Sequence, residues 1–470
     1  MGNPKAFMNI PRKEAGYRPV NERVYDFGEV EQTLNREDRK LQASRCMDCG
    51  IPFCHWACPL GNKMPEWQDL IYKNKWKEAI EVLHETNNFP DFTGRICPAP
   101  CEKACVLALH EAAVTIRENE AAVTEVAFIE GMIKPRPPKT RTGKNVAVIG
   151  SGPAGLAAAQ QLNRKGHNVT VFEKDNAPGG LLRYGIPNFK LNKNIIDRRL
   201  EQLKEEGVVF KTNCEVGKDI TGKEIMKNFD AVCITIGAGH PRNITPKGRE
   251  LAGIHYAMEF LSQQNQLIMG ENIAKPALIN AKDKHVLVIG GGDTGSDCVG
   301  TSVRQGAVKI TQIEILPQPP ADKNPETPWP YWPNILRTSS SHKEGCERKW
   351  SLNTLEFKGE KGQVKEVEVE EVEWTKDDSG KWNMKPTGRT ETIKADLVFL
   401  ALGFVHPVHE GLLNELGVEY DARGNVKTDA NSKSSLAKVF AAGDAAIGAS
   451  LVVRAIAAGR KVAEDIHKIL

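Results

Sequence analysis

Seven of the eleven cysteines in this 470-residue chain lie between Cys46 and Cys105. They fall as Cys46-x2-Cys49-x4-Cys54-x3-Cys58-Pro and as Cys97-x3-Cys101-x3-Cys105. Thiolates suit soft metals, and sets of four hold either zinc or an iron–sulfur cluster. The first residues show no apolar run of the kind an export signal needs, so the expected compartment is the cytoplasm and redox disulfides are the weaker reading. If the stretch from Cys97 to Cys105 is helical, its four-residue spacing turns three thiols to one face. Seven cysteines fall one short of the eight ligands two clusters need. Glu111, Glu118 and Glu120 follow closely, and spacing does not choose among them. Cys214, Cys233, Cys298 and Cys346 are scattered and read as small apolar side chains of the core.

Two further stretches have the glycines that a phosphate cradle requires. Gly150-Ser-Gly152-Pro153-Ala154-Gly155 follows the apolar run Asn145–Ile149 and opens a helix of small residues. Gly150 permits the tight turn, Gly152 the approach of a pyrophosphate, and Gly155 the packing of helix on strand. Glu173, followed by Lys174, ends the next strand 23 residues after Gly150, where a carboxylate binds ribose hydroxyls. A flexible turn carries Gly180 and Leu181, and Gly443-Asp444 ends a late strand. Together these residues make an expected FAD site. The second cradle is Gly290-Gly-Gly292-Asp293-Thr294-Gly295, with Glu314 lying 24 residues after Gly290. A carboxylate there suits the 2′-hydroxyl of NADH and repels a 2′-phosphate, unless Lys309, Lys323 or Arg304 sits beside it.

Two nucleotide sites in one chain suggest hydride transfer from NADH or NADPH to a flavin. A flavin converts that two-electron hydride into the single electrons an iron–sulfur cluster accepts. The cysteine region is therefore expected to hold two 4Fe–4S clusters and not structural zinc. No catalytic acid, base or nucleophile is needed beyond the positioning of cofactors.

The elements that must position these residues give an α/β fold class. An N-terminal α-helical iron–sulfur domain, residues 1–143, is followed by two Rossmann-like dinucleotide-binding domains, one inserted in the other. The FAD-binding domain spans 144–245 and 403–470, and the NAD(P)H-binding domain 246–402. Trp67, Leu70, Ile71, Trp76, Ile80 and Leu83 recur at helical spacing within Glu66–Glu85 and read as core packing. Glu118–Glu130 is a second helical stretch. KPRPPKTRTGK at 134–144 is a stiff, solvated linker. Alternating valine and glutamate over Val364–Trp374, before the turn-like DDSGK, predicts a hairpin with one wet face. The formal charge of +3 argues against a nucleic-acid or anionic membrane partner. No apolar run approaches the ~20 residues of a membrane helix.

The segments RCMDCGIPFCHWACPLGN, GRICPAPCEKAC, VTIRENE, VIGSGPAGLAAA, GGLLRYGIPNFKL, VIGGGDTGSDC and VFAAGDA resemble, in order, the glutamate synthase small-subunit family. The resemblance covers nearly the whole chain. ILPQPP followed by PWPYWP is most similar to the small-subunit portion of eukaryotic glutamate synthases and some bacterial small subunits. The resemblance implies that Cys46, Cys49, Cys54 and Cys105 hold one cluster. It implies that Cys58, Cys97, Cys101 and Glu120 hold the other. It makes Lys190 an FAD contact, and Asp293, Thr294, Ala401, Leu402 and Gly403 contacts of the nicotinamide nucleotide. It implies an NAD(P)H-dependent oxidoreductase of the class acting on CH–NH2 donors. Its partner in a hetero-oligomer would be a large subunit that makes glutamate from glutamine and 2-oxoglutarate. The chain departs from NADPH-dependent relatives at Glu314, where they carry arginines. The same module resembles the N-terminal part of dihydropyrimidine dehydrogenase, so a ferredoxin or a pyrimidine-reducing domain is the alternative acceptor.

Overall fold

The computed structural model describes residues 3, 5–273, 278–322 and 324–470. Asn145–Ile149, buried in four of its five residues, is the central strand of a five-stranded sheet. Ala231–Ile234 and Val439–Ala441 extend it on one side, and Asn168–Phe172 and Val209–Lys211 on the other, all in parallel register. His285–Ile289 occupies the same central place in a second parallel sheet of five strands. Its strands run from Ile254–Tyr256 to Leu397–Leu400, between the first four strands of the first sheet and its last. Open parallel sheets of this kind bind ligands outside the carboxyl ends of the strands, and both glycine turns lie there.

The expected hairpin forms within a three-stranded antiparallel sheet of Leu352–Glu360, Gln363–Lys376 and Trp382–Lys394. Val364, Val367, Val369 and Val372 are all buried. Their uneven spacing could not share one face of a regular strand, and a register shift beside Val364 lets Val364, Val367 and Val369 share one apolar cluster.

The N-terminal region is helical, with two departures from expectation. Glu66–Glu85 is not one helix: it divides into Met64–Tyr72 and Trp76–Thr86, with Asn74 at a left-handed φ of 59° between them. Trp67, Ile71, Trp76, Ile80 and Leu83 still converge in one core. The stretch from Cys97 to Cys105 is not a continuous helix either. Cys97 is extended, Ala99 is left-handed, and Pro100–Lys103 alone is helical. Pro98 and Pro100 account for this, because each disfavours helical geometry at the residue before it. The later helix spans Ile116–Ile129. Residues 134–144 carry no helix or strand.

The cysteine-bearing region shares its interior with the first sheet. Phe89 and Phe92 stack at 5.1 Å and are buried in the same apolar cluster as Leu156, Ile196 and Ile456. The buried ion pair of Asp91 with Arg199, at 3.0 Å, crosses the same boundary. Among the described residues no helix is long and apolar enough to cross a membrane.

Candidate cofactor sites

Cys46, Cys49, Cys54 and Cys105 line one cavity, together with Phe53 and Gln68. Three come from the loop and short helix after Arg36–Ser44, and Cys105 reaches them from beyond Pro100–Lys103. Burial pushes the thiols of Cys46 and Cys54 up to about 12, and a charge on Cys105 adds to both shifts. Cys58, Cys97 and Cys101 form a separate group that senses Glu120 instead. Burial raises Cys97 to about 12 and Cys58 to about 11. Such thiols would stay protonated at neutral pH, so thiolates here require the positive charge of a metal to offset burial and mutual repulsion. Among the described residues no three His, Cys, Asp or Glu side chains converge closely enough for one metal ion.

Glu120 sits on Ile116–Ile129 and is 5% exposed. Its Oε1 accepts from Asn87 Nδ2 at 2.8 Å and from Thr93 Oγ1 at 2.7 Å, leaving Oε2 outside both bonds. Burial pushes its carboxyl up to about 7, against these two hydrogen bonds. Glu118 is engaged elsewhere, accepting from Arg39 and the Ala15 N–H. Glu111 is exposed on a turn. Of the three carboxylates, Glu120 alone acts through its charge on all three thiols of the second group.

The first glycine turn has the geometry of a phosphate cradle. Gly150 has φ +97°, and a Cβ there would lie 2.6 Å from Thr235 O. A Cβ on Gly155 would lie 2.0 Å from Gly150 O, whereas one on Gly152 would meet nothing within 4 Å. The open side at Gly152 faces where a pyrophosphate would approach the N-terminus of Pro153–Arg164. Gly443 abuts Ala154, since its Cβ would come within 2.7 Å of that side chain, so Asp444 is brought to the same helix mouth. Gly180 closes over Gly152 from a third segment, and Leu181 beside it is exposed. Glu173 is buried against the turn, accepting from the Ser151 N–H at 3.2 Å and from its hydroxyl. Lys174 points outward and pairs with Asp175 at 2.9 Å. Lys190 forms an ion pair with Asp297, on the helix of the second nucleotide turn. That pair ties the two nucleotide units together.

The second turn repeats the first. Gly290 has φ +120° and Gly295 packs on its carbonyl, a Cβ there falling 2.2 Å from Gly290 O. Ala401 closes on Gly290, whose Cβ would meet Ala401 O at 2.2 Å, so Leu402 and Gly403 follow at the site's edge. Gly292 is open, and Asp293 and Thr294 start the helix Asp293–Arg304. Glu314 lies across the turn: a Cβ on Gly291 would stand 1.3 Å from its Oε1. Burial raises the Glu314 carboxyl and Arg348 opposes the shift. The cations named from sequence lie elsewhere. Lys309 pairs with Glu347 at 2.7 Å, and Arg304 is buried on Glu344 at 2.5 Å. Lys323 lies outside the described residues. Arg348, from the neighbouring strand Glu347–Lys349, was not legible because strand pairing decides its place.

Residues 144–459 match the pyridine nucleotide-disulphide oxidoreductase family, and residues 23–132 match dihydropyrimidine dehydrogenase domain II, 4Fe-4S cluster. The NADPH glutamate synthase small chain of Mycobacterium tuberculosis is 49% identical over 100% of this chain and 96% of its own length. The chain belongs to the glutamate synthase small-chain family. NADH glutamate synthase of Schizosaccharomyces pombe is 45% identical over 98% of this chain and 22% of that much longer one. The fold resembles that of FprA from Mycobacterium tuberculosis in complex with NADPH, with a TM-score of 0.54, 18% identity, and coverage of 70% of this chain and 84% of that one.

Within this small-chain fold, a hydrogen-bonded relay behind the second turn escaped sequence reasoning. Gln312 Nε2 donates to Gly290 O at 2.8 Å, and His342 Nε2 lies 2.7 Å from Gln312 Oε1. The Ser339 N–H donates to His342 Nδ1, which leaves Nε2 to carry the proton. Burial lowers His342 to about 4, so the imidazole is neutral at physiological pH. Gly155→Ala should be among the most damaging one-methyl changes, because its Cβ meets backbone and not a movable side chain. We expect a largely flavin-free protein, destabilised by about 1–3 kcal/mol, as read by flavin absorbance and chemical denaturation.

Proposed function

We propose that this chain is the electron-input subunit of a glutamate synthase. It oxidises NAD(P)H on FAD and passes electrons through two 4Fe–4S clusters to a large chain that makes glutamate from glutamine and 2-oxoglutarate. The observation that carries the reading is the division of seven thiols and Glu120 into two groups, in a region that shares its core with the FAD sheet. When bound, FAD accepts the hydride pair and the clusters carry its electrons singly. The chain's own residues bind and orient. Gly150, Gly152 and Gly155 admit one pyrophosphate to a helix N-terminus, and Gly290, Gly292 and Gly295 admit the other. Leu60 and Ile96, neighbours of Cys58 and Cys97, pack against the FAD-side core, which supports placing the second group nearer the flavin. The boundaries at 143/144, 245/246 and 402/403 belong to this proposal.

The partner's docking side follows from the first cavity. Phe53 lines it and packs at a tilt against Trp329 at 4.6 Å, while Trp56 meets Tyr331 edge-on at 5.9 Å. Trp56 and Tyr331 are each 61% exposed, and Ile51 beside them is 77% exposed. An aromatic patch over the outermost cofactor site suits a large chain taking electrons there. Glutamate formation driven by NADH, measured with and without added large chain, tests the division of labour. Glutamate made by this chain alone would overturn it.

Glu314 also favours NADH over NADPH in this reading. Glu314→Ser removes the like charge that would face a 2′-phosphate and leaves Arg348 near it. The kcat/KM ratio of NADPH to NADH should rise about tenfold or more, a discrimination of about 1.4 kcal/mol. An unchanged ratio would remove Glu314 from the specificity site.

A further inference from the structure

Gln68 is wholly buried on Met64–Tyr72 and lines the cavity of Cys46, Cys49, Cys54 and Cys105. The two ends of its amide are not equivalent. Asn119 Nδ2 donates to Gln68 Oε1 at 2.7 Å. Asn119 Oδ1 in turn accepts from Arg39 NH1 at 3.0 Å. A guanidinium only donates, so Asn119 must turn its oxygen to Arg39 and its NH2 to Gln68. Gln68 must then turn its own oxygen to Asn119, and the amide nitrogen is the polar atom left for the cavity. That nitrogen has no hydrogen-bond partner among the described residues. Buried polar groups are rarely left unpaired, and around this cavity Phe53, Leu107 and Val114 offer no side-chain acceptor, while Met47, Met64 and the four cysteines offer only sulfur. Sulfur is the acceptor chemistry that the site supplies.

We propose that the Gln68 amide donates a hydrogen bond to a sulfur of the cluster held by Cys46, Cys49, Cys54 and Cys105, and thereby raises that cluster's reduction potential. The inference rests on the reading that these four thiols hold a 4Fe–4S cluster. A donor to sulfur favours the reduced state because that state carries one more negative charge. The buried chain Arg39–Asn119–Gln68 fixes the donor's direction before any cofactor is bound.

Gln68→Met keeps the unbranched shape and removes the donor. Anaerobically purified full-length protein, titrated by EPR under graded reductant, should retain both cluster signals. One midpoint potential should move to a more negative value and the other should stay. The cluster that Glu120→Ala perturbs should be the one that stays. Unchanged midpoints with both clusters present would overturn the proposal and leave the cluster reading intact. A wild-type protein without any cluster signal would sink both. If the variant loses the first cluster, the unsubstituted protein decides: with heavy nitrogen in the glutamine side chains, pulsed EPR of the reduced first cluster should show a weak coupling to that nitrogen. No coupling would overturn the proposal.

Discussion

Cys54→Ala should abolish NADH-driven glutamate formation by the complex with the large chain, while NADH oxidation by ferricyanide persists. On the proposed electron path the two activities part company, because ferricyanide would take electrons at the flavin and the large chain would draw them from the first cluster. Cys54 lines the cavity with Cys46, Cys49 and Cys105, and the described lining holds no fifth cysteine to replace it. Removing an outer-shell partner of a metal site already costs ~10–100-fold, and removing a ligand itself should exceed that range. The FAD cradle lies on a different set of elements, so flavin content should not change. Parallel assays of glutamate and ferricyanide reduction check this, with iron content per flavin as a control. Equal loss of both activities would point to a folding defect and not to a severed electron path.

Glu120→Ala should remove or alter the second cluster and spare the first. Glu120 is buried, its Oε1 is held by Asn87 and Thr93, and its charge acts on all three thiols of Cys58, Cys97 and Cys101. Alanine there also leaves one Asn87 N–H without its acceptor, at about 1–3 kcal/mol, whereas the Thr93 hydroxyl can still donate to Phe89 O. Glu120→Gln separates the two effects: its amide oxygen can still accept from Asn87 and Thr93, and the amide can still approach the cluster. We expect iron per flavin to fall by about half in the alanine variant, one of two clusters being lost, and to be largely kept in the glutamine variant. Identical EPR spectra for wild type and the alanine variant would exclude Glu120 as a ligand.

Legibility differed between the two kinds of site. Each glycine turn is local: strand, turn, helix and following acid lie within one short run, so Gly150, Gly155, Gly290 and Gly295 could be placed from spacing alone. Backbone conformation is what those positions demand, and glycine is its direct signature. The cysteine region was legible in ligand type but not in shape. A helix from Cys97 to Cys105 is ruled out by prolines that the spacing argument overlooked, and the loop that replaces it sends Cys105 to one group and Cys97 and Cys101 to the other.

Residue types and spacing by themselves determined two nucleotide cradles, an α/β class with one unit inserted in the other, and thiol chemistry at the N-terminus. They determined this because helix, strand and turn preferences act over a few residues. Tertiary structure alone decided which carboxylate acts on the second group of thiols, which cation acts on Glu314, and that Trp329 of PWPYWP packs against Phe53 beside the outer cysteine cavity. It also decided that Lys190 pairs with Asp297 and that Gln68 is left one donor to spare. These depend on contacts between segments far apart in the chain. Such contacts are selected by burial and hydrogen-bond satisfaction across the whole fold, and no local pattern records them.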